Sequence, residues 1–280
     1  MLLASLLLAV ALPLAAPPDA AVAGALAAGA EPGGERASRA TAPLLGRPYR
    51  LDPLGEGRGP DPDPRFRLDA FDCMTLVETA VALGSSATLD EARRALDDVR
   101  YDGPPALAAR NHEVLSQWIP ANVRKGWVAP ASRALFGEAA RVEAVEYDAA
   151  RWGRLLRAGR GLRGVPRERL PVGRFEVEVV PEAALLALEQ RIPDGTVAFV
   201  VRADDPDHVT RVTHAALVVA RPDGRRAVRH ASSFPSAPRV VEEPLARFLE
   251  RQRRGAPRRV VGLALFTIRD ARERLAALPP

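Results

Sequence analysis

The chain has one cysteine, Cys73, in 280 residues. A single cysteine excludes an internal disulfide framework and any cysteine-based zinc site. Aromatic residues are scarce, at 5%, and no basic block is interleaved with them, so nucleic acid is not an expected partner. The net charge of +5 at neutral pH is carried more by arginine than by lysine and sits in mixed-sign runs such as EARRALDDVR. Such a surface suits an acidic polymer or an anionic surface. Long apolar runs are also missing, apart from Leu2–Ala16, which is short for a membrane span. No stable membrane anchor is therefore expected.

Leu2–Ala16 has the length of a signal-peptide core, and Ala21-Val22-Ala23 offers a small-residue cleavage site, although no Lys or Arg precedes the run. Residues 1–23 read as a signal peptide, which implies export to the periplasm or cell envelope. Residues 24–42, rich in Ala, Gly, Pro and charge, read as a disordered linker. The remainder, 43–280, reads as a single catalytic domain, and its hydrophobic content of 47% suits a real core.

Periodicity divides that domain in two. The first part reads as helices: one from Cys73, a second over Leu89–Val99 capped by Thr88-x-x-Glu91, and others over Ala131–Ala140 and Tyr147–Leu162. After a short helix over Glu182–Arg191, the period changes. Thr196–Arg202, His214–Ala220, Arg226–Ala231 and Val260–Ile268 read as strands, with a turn at Arg221–Gly224 and a short helix starting at Glu243-Pro244. A helical first half followed by a β meander indicates an α+β fold.

Two places carry chemistry. In LDAFDCMTLVETAVALG, apolar positions at Cys73, Leu76, Val77, Ala80 and Leu83 lie on one helical face. Asp72 can cap the helix directly before Cys73, or Thr75-x-x-Glu78 can start it slightly later. Either way Cys73 lies at or just outside a helix N-terminus, where unpaired N–H groups favour a thiolate. The competing reading is a small buried hydrophobe. The second place is the hairpin bracketed by His214 and His230. With the turn centred on Pro222, the two rings face each other across the ladder, a base and the group that orients it. Alternatively, each is an ordinary half-buried strand residue, or both join His208 around a metal. No carboxylate stands at a recognisable ligand spacing for that metal. Between these places, RNHEVLSQWIPANVRKGW gathers Asn111, His112 and Trp118 into a stretch that reads either as an ordinary surface segment or as the wall of a substrate groove.

FDCMTLVETAVAL, RNHEVLSQWIPAN, IPDGTVAFVV, THAALVV and RHAS, in that order, resemble the NlpC-type, papain-like cell-wall hydrolases. The resemblance is closest to a branch once classed as a domain of unknown function, whose characterised members are N-acetylmuramoyl-L-alanine amidases. It covers about Pro43–Arg269. It implies a papain-like fold, with the cysteine at a helix N-terminus packed on an antiparallel sheet that carries the histidines. It implies Cys73 as nucleophile, His214 as base and His230 as third member, with Asp72, Asn111 and His112 bordering the groove. Trp118 is the ring expected to join that wall. No cofactor and no metal are implied. The implied partner is a peptidoglycan fragment, cleaved by a monomer at the lactyl–L-Ala amide. A stem-peptide endopeptidase, a thiol acyltransferase and a non-catalytic wall-binding module are the competing functions.

Overall fold

The computed structural model describes residues 17–29, 31–157, 165–206, 208, 210–236, 238–254 and 258–279. In chain order its elements are α1 (Pro18–Ala27), α2 (Gly34–Thr41), α3 (Cys73–Ser85), α4 (Leu89–Arg100), α5 (Ile119–Lys125), β1 (Val128–Pro130), α6 (Ser132–Phe136) and β2 (Arg141–Tyr147). There follow α7 (Ala149–Arg157), β3 (Gly173–Val179), α8 (Glu182–Ala187), β4 (Thr196–Arg202), β5 (Val212–Ala220), β6 (Arg226–Ser232), β7 (Arg239–Pro244), α9 (Leu245–Arg254), β8 (Val260–Ile268) and α10 (Arg272–Ala276).

A six-stranded sheet in the order β1-β8-β4-β5-β6-β7 forms the centre, and β2 and β3 form a separate two-stranded ribbon. All pairings are antiparallel. Alternation of side chains sorts the central strands between two cores. Val197, Phe199, Ala215, Leu217 and Val219 pack with Val77, Ala80 and Val81 of α3 and Leu96 of α4. Ala198, Val200, Ala216, Val218 and Val228 pack with Leu185 of α8 and Leu245, Phe248 and Leu249 of α9. The expected α+β class is therefore the observed one, with helices on both faces of an antiparallel sheet.

Several sequence expectations are corrected. Residues 24–42 are no linker: α2 lies inside them, with Ala37, Ala40 and Thr41 fully buried. Small residues, which suggest flexibility in sequence, here permit close packing. A Cβ on Gly34 would stand 2.3 Å from the Asp194 carbonyl oxygen, so α2 rests directly on the turn before β4. The expected leader boundary at Ala23 falls within α1, whose Val22 is buried; residues 1–16 of that leader lie outside the described residues. The helix expected over Tyr147–Leu162 is observed as α7, with 158–162 outside the described residues. The strands β1, β2 and β7 were not anticipated. Glu243-Pro244 ends β7 rather than opening α9, so the helix begins one residue later than its proline suggests.

Gly195 sits at φ 70° in the turn before β4, and a Cβ there would lie 1.9 Å from the Gly34 carbonyl oxygen. Gly224, in the β5–β6 turn, has a similar φ of 81° but open space around it. Gly195→Ala should therefore lower stability by ~2–4 kcal/mol, through strain plus a backbone clash, against ~1 kcal/mol for Gly224→Ala. Thermal unfolding of the two variants beside the native chain checks this; equal losses would show that the Gly34–Gly195 contact is not tight.

Candidate active site

The α3 helix begins at Cys73 because Asp72 caps it. Asp72 Oδ1 accepts the Thr75 N–H at 2.8 Å, and the Asp72 N–H donates to Thr75 Oγ1 at 2.9 Å, a reciprocal capping box. Of the two possible starts, this is the earlier one. Glu78 consequently falls in the second turn, buried and ion-paired to Arg100 of α4, rather than closing a cap. Asp72 Oδ2 also accepts the Asp52 N–H at 3.0 Å, so the carboxylate expected at the substrate groove is engaged in holding the helix start and the loop before it.

Cys73 occupies the first helical position, packed on the core that includes Ala215. Burial pushes its thiol up to about 12, and Asp72 adds to the rise, while the backbone amides of Ala215, Met74 and Cys73 itself pull the other way. The helix N-terminus is present, but burial and the capping carboxylate outweigh it, and the sulfur rests as a neutral thiol. The Tyr49 phenol stands close by. Burial, then Cys73 and Asp72, push it up to about 12, so it keeps its proton at neutral pH.

His214 follows a β-bulge. Val200 pairs with His214 but Val201 pairs with Val212, leaving Thr213 as the extra residue. The bulge lets Val212 and Ala215 both face α3, while the His214 ring turns to the α9 side against Phe248, with centroids 5.8 Å apart. In β6, His230 lies on that same side, 1% exposed. The ladder register Leu217↔Arg229 places Ala216, not His214, directly opposite His230. The turn spans 221–225, closed by the Arg221 N–H donating to the Arg225 carbonyl at 3.0 Å, and is centred on Asp223 rather than Pro222. The two imidazoles therefore share a face but meet diagonally, edge to face at 82°, with His214 Nε2 2.8 Å from His230 Nδ1.

Beyond them, His230 Nε2 lies 3.1 Å from Glu243 Oε1, and Glu243 Oε2 accepts from Arg251 at 3.0 Å. Burial alone would raise the Glu243 carboxyl, but His230 and Arg251 outweigh it and hold the group below its usual range. An ionised carboxylate only accepts, so His230 Nε2 carries a proton. A neutral His230 then offers Nδ1 as acceptor, His214 donates from Nε2, and His214 Nδ1 is left as the basic lone pair. Burial, then His230 and Arg202, hold His214 well below its ordinary 6.5. Sequence reasoning missed Glu243 because it reads as a helix start. Its signal is the β7 register, which pairs Val241 with His230 and brings Glu243 into reach from the strand end.

The thiol meets β5 at Ala215, the residue after His214, and among the described residues no hydrogen bond joins sulfur to either ring. The other expected groove residues lie elsewhere. Trp118 is 0% exposed, edge-on to Phe199 in the core, and is no substrate wall; an indole is simply the largest available core filler there. Asn111 Nδ2 donates to the Val99 carbonyl at 3.3 Å, and His112 Nε2 lies 2.7 Å from the Leu107 carbonyl oxygen, so both fasten their own loop. Asn111 also lines a cavity of about 220 Å³ with Arg110, Arg124 and Arg169. His208 pairs with Asp205 at 2.9 Å, and among the described residues no three ligand-type side chains group as a metal site. None of the described helices is long and apolar enough to cross a membrane.

An imidazole pair backed by a carboxylate and a helix-start thiol thus meet neighbouring residues of β5. Residues 39–256 match the family described as AmiA-like, N-acetylmuramoyl-L-alanine amidase-like, and the chain belongs to that family. Among solved structures it is similar to a protein from Legionella pneumophila str. Philadelphia 1 placed in DUF1460, with a TM-score of 0.73, 21% identity, and 93% of this chain and 94% of that chain covered. It is also similar to an N-acetylmuramoyl-L-alanine amidase from Bacteroides uniformis, with a TM-score of 0.63, 21% identity and coverages of 84% and 98%. A candidate xylanase from Bacteroides fragilis reaches a TM-score of 0.61 at 20% identity, with coverages of 80% and 96%. At these identities the likenesses establish the fold alone. No curated protein sequence matches the chain.

With His214 as the base of amide cleavage, its depressed affinity for protons sets the pH response, because protonation of the ring is delayed to below 6.5. The kcat/KM for amide cleavage should stay level from pH 8 down to about 6.5 and fall only at lower pH. An acid limb centred above 6.5 would contradict the burial-driven depression.

Proposed function

We propose that the protein is a cysteine-dependent N-acetylmuramoyl-L-alanine amidase that cleaves the lactyl–L-Ala amide of peptidoglycan fragments. Membership in the amidase-like family supports the bond class. The observation that carries the mechanism is the line Glu243–His230–His214, which leaves a basic nitrogen on the residue next to the amide that faces the Cys73 sulfur. Because the thiol and the imidazole both rest neutral, the proton moves as attack occurs, not before.

Cys73 sulfur adds to the amide carbonyl carbon while its proton passes to His214 Nδ1. This step requires the ring and sulfur to close their remaining separation, as substrate-bound sites commonly do. The carbonyl oxygen becomes an oxyanion beside the Cys73 and Met74 N–H groups of the α3 start, and the protonated Tyr49 phenol is the nearby side-chain donor. Collapse breaks the C–N bond, the proton on His214 goes to the departing amine of L-Ala, and the muramyl lactyl group remains as a thioester on Cys73. Water then adds to the thioester, giving a proton to His214. The C–S bond breaks, sulfur regains the proton, and the lactyl carboxylic acid leaves. Glu243 acts through His230 by keeping its proton on Nε2. The substrate lies outside the cytoplasmic membrane, which agrees with reading Leu2–Ala16 as a leader. A basic surface suits a polymer rich in carboxylates.

Mass spectrometry of products from muropeptides and sacculi tests this. Native protein should release free stem peptide beginning with L-Ala, and Cys73→Ala should release none. Glu243→Gln should retain the same products with kcat lowered about 10- to 100-fold and KM little changed, as for other groups that fix a histidine tautomer. Fragments cut within the stem would move the bond to an endopeptidase. Absence of any product would leave a wall-binding module.

A further inference from the structure

A cavity of about 320 Å³ opens on the α9 side of the sheet, and its walls include His214, His230, Thr213, Ser232, Arg202 and Arg258. Cys73 is not among those walls, so the cavity adjoins the imidazole pair from the side away from α3. Its two guanidiniums are unusual. Arg202 is only 3% exposed, and its donors reach neutral acceptors: Thr213 Oγ1 at 2.8 Å, the Arg258 carbonyl at 2.7 Å and the Gln252 carbonyl at 2.9 Å. Arg258 Nη2 donates to the Thr210 carbonyl at 3.1 Å, while its buried Nη1 has no acceptor among the described residues.

Neither arginine forms an ion pair among the described residues. Two carboxylates in the adjoining loop are engaged by other groups, Asp204 by Arg151 at 2.8 Å and Asp205 by His208 at 2.9 Å. Burial weakens the hold of both guanidiniums on their protons; for Arg202 the nearby Arg258 adds to this, and for Arg258 the charges of Asp205 and Asp204 oppose it without reversing it. Buried charge is normally paired, because desolvation without a counter-ion is costly. Two guanidiniums in one cavity wall, one buried and one half-buried, whose hydrogen bonds go only to neutral acceptors among the described residues, suit a planar anion.

We propose that this cavity is an anion subsite for a carboxylate of the departing stem peptide, held by Arg258 and Arg202. The proposal rests on the amidase reading. In that reaction His214 hands its proton to the leaving amine, so the leaving peptide lies on the imidazole side, where this cavity is. The muramyl side offers no competing carboxylate at this bond, because its lactyl carboxyl is consumed in the amide. Beyond L-Ala, the first free carboxylate is that on the second stem residue.

The test compares two muramyl tripeptides that differ only at that second residue, D-glutamate or D-isoglutamine, with native protein and Arg258→Gln. A charge-assisted pair of this kind corresponds to about 10- to 100-fold in kcat/KM. Native protein should prefer the carboxylate by that factor. Arg258→Gln should lose the preference by slowing the acid substrate alone, leaving the carboxamide within about twofold; that substrate thereby reports whether the variant is folded. Equal native rates on the two substrates would overturn the subsite, as would an Arg258→Gln loss shared equally by both. Failure of native protein to release L-Ala peptides from either substrate would instead overturn the amidase reading beneath it.

Discussion

The contact between His214 and His230 is the constraint on which the rest of the site depends. Two imidazoles on neighbouring strands can bridge nitrogen to nitrogen only if they share a face and sit at the right stagger. Three local features supply this: the turn at 221–225 sets the register, the bulge at Thr213 releases His214 from the regular alternation, and β7 brings Glu243 behind His230. Phe248 packs on both rings. The same burial that depresses His214 also makes its hydrogen bonds directional and strong, since a low-dielectric surrounding amplifies them.

In the proposed reaction the helical half supplies the Cys73 sulfur and the N–H groups of the α3 start, and the contacts around them fix where that helix begins. The Asp72–Thr75 cap fixes where α3 starts, and the Glu78–Arg100 pair ties α3 to α4, with Arg100 also donating to the Leu54 carbonyl at 3.1 Å. A buried pair of this kind adds little net stability over apolar packing, but losing one member is expensive, so it defines one arrangement of the two helices. The sulfur then faces the Ala215 amide, one residue from the imidazole on the neighbouring position of β5. Thiol and imidazole approach the start of that strand from its two faces.

Much of this was legible in the sequence, in proportion to how local the signals were. The α3 start, the Thr88–Glu91 cap, and β4, β5, β6 and β8 follow from spacing and turn residues within a few positions. The shared face of His214 and His230 was also legible, but the diagonal stagger was not, because moving the turn centre from Pro222 to Asp223 shifts the pairing by two residues without changing the composition. Glu243 was hidden since Glu-Pro is a stronger helix-start signal than strand-end signal. Trp118, Asn111 and His112 looked like a binding wall because polar and aromatic residues cluster in sequence there. In the fold the tryptophan turns to the core, and the other two fasten their own loop. The 24–42 segment misled for the opposite reason: glycine and alanine mark a linker by composition, yet they are what allows α2 to lie against the 193–195 turn.

The proposed reaction passes through a covalent thioester between Cys73 and the muramyl lactyl group. Partitioning with hydroxylamine tests it most directly, because the amine competes with water only for an acyl group already transferred to the enzyme. As hydroxylamine rises during turnover of a muramyl peptide, the account predicts lactyl hydroxamate appearing at the expense of the free acid, with stem peptide still released. Acid as the sole acyl product at every hydroxylamine concentration would mean direct attack by water, and would contradict a thiol mechanism.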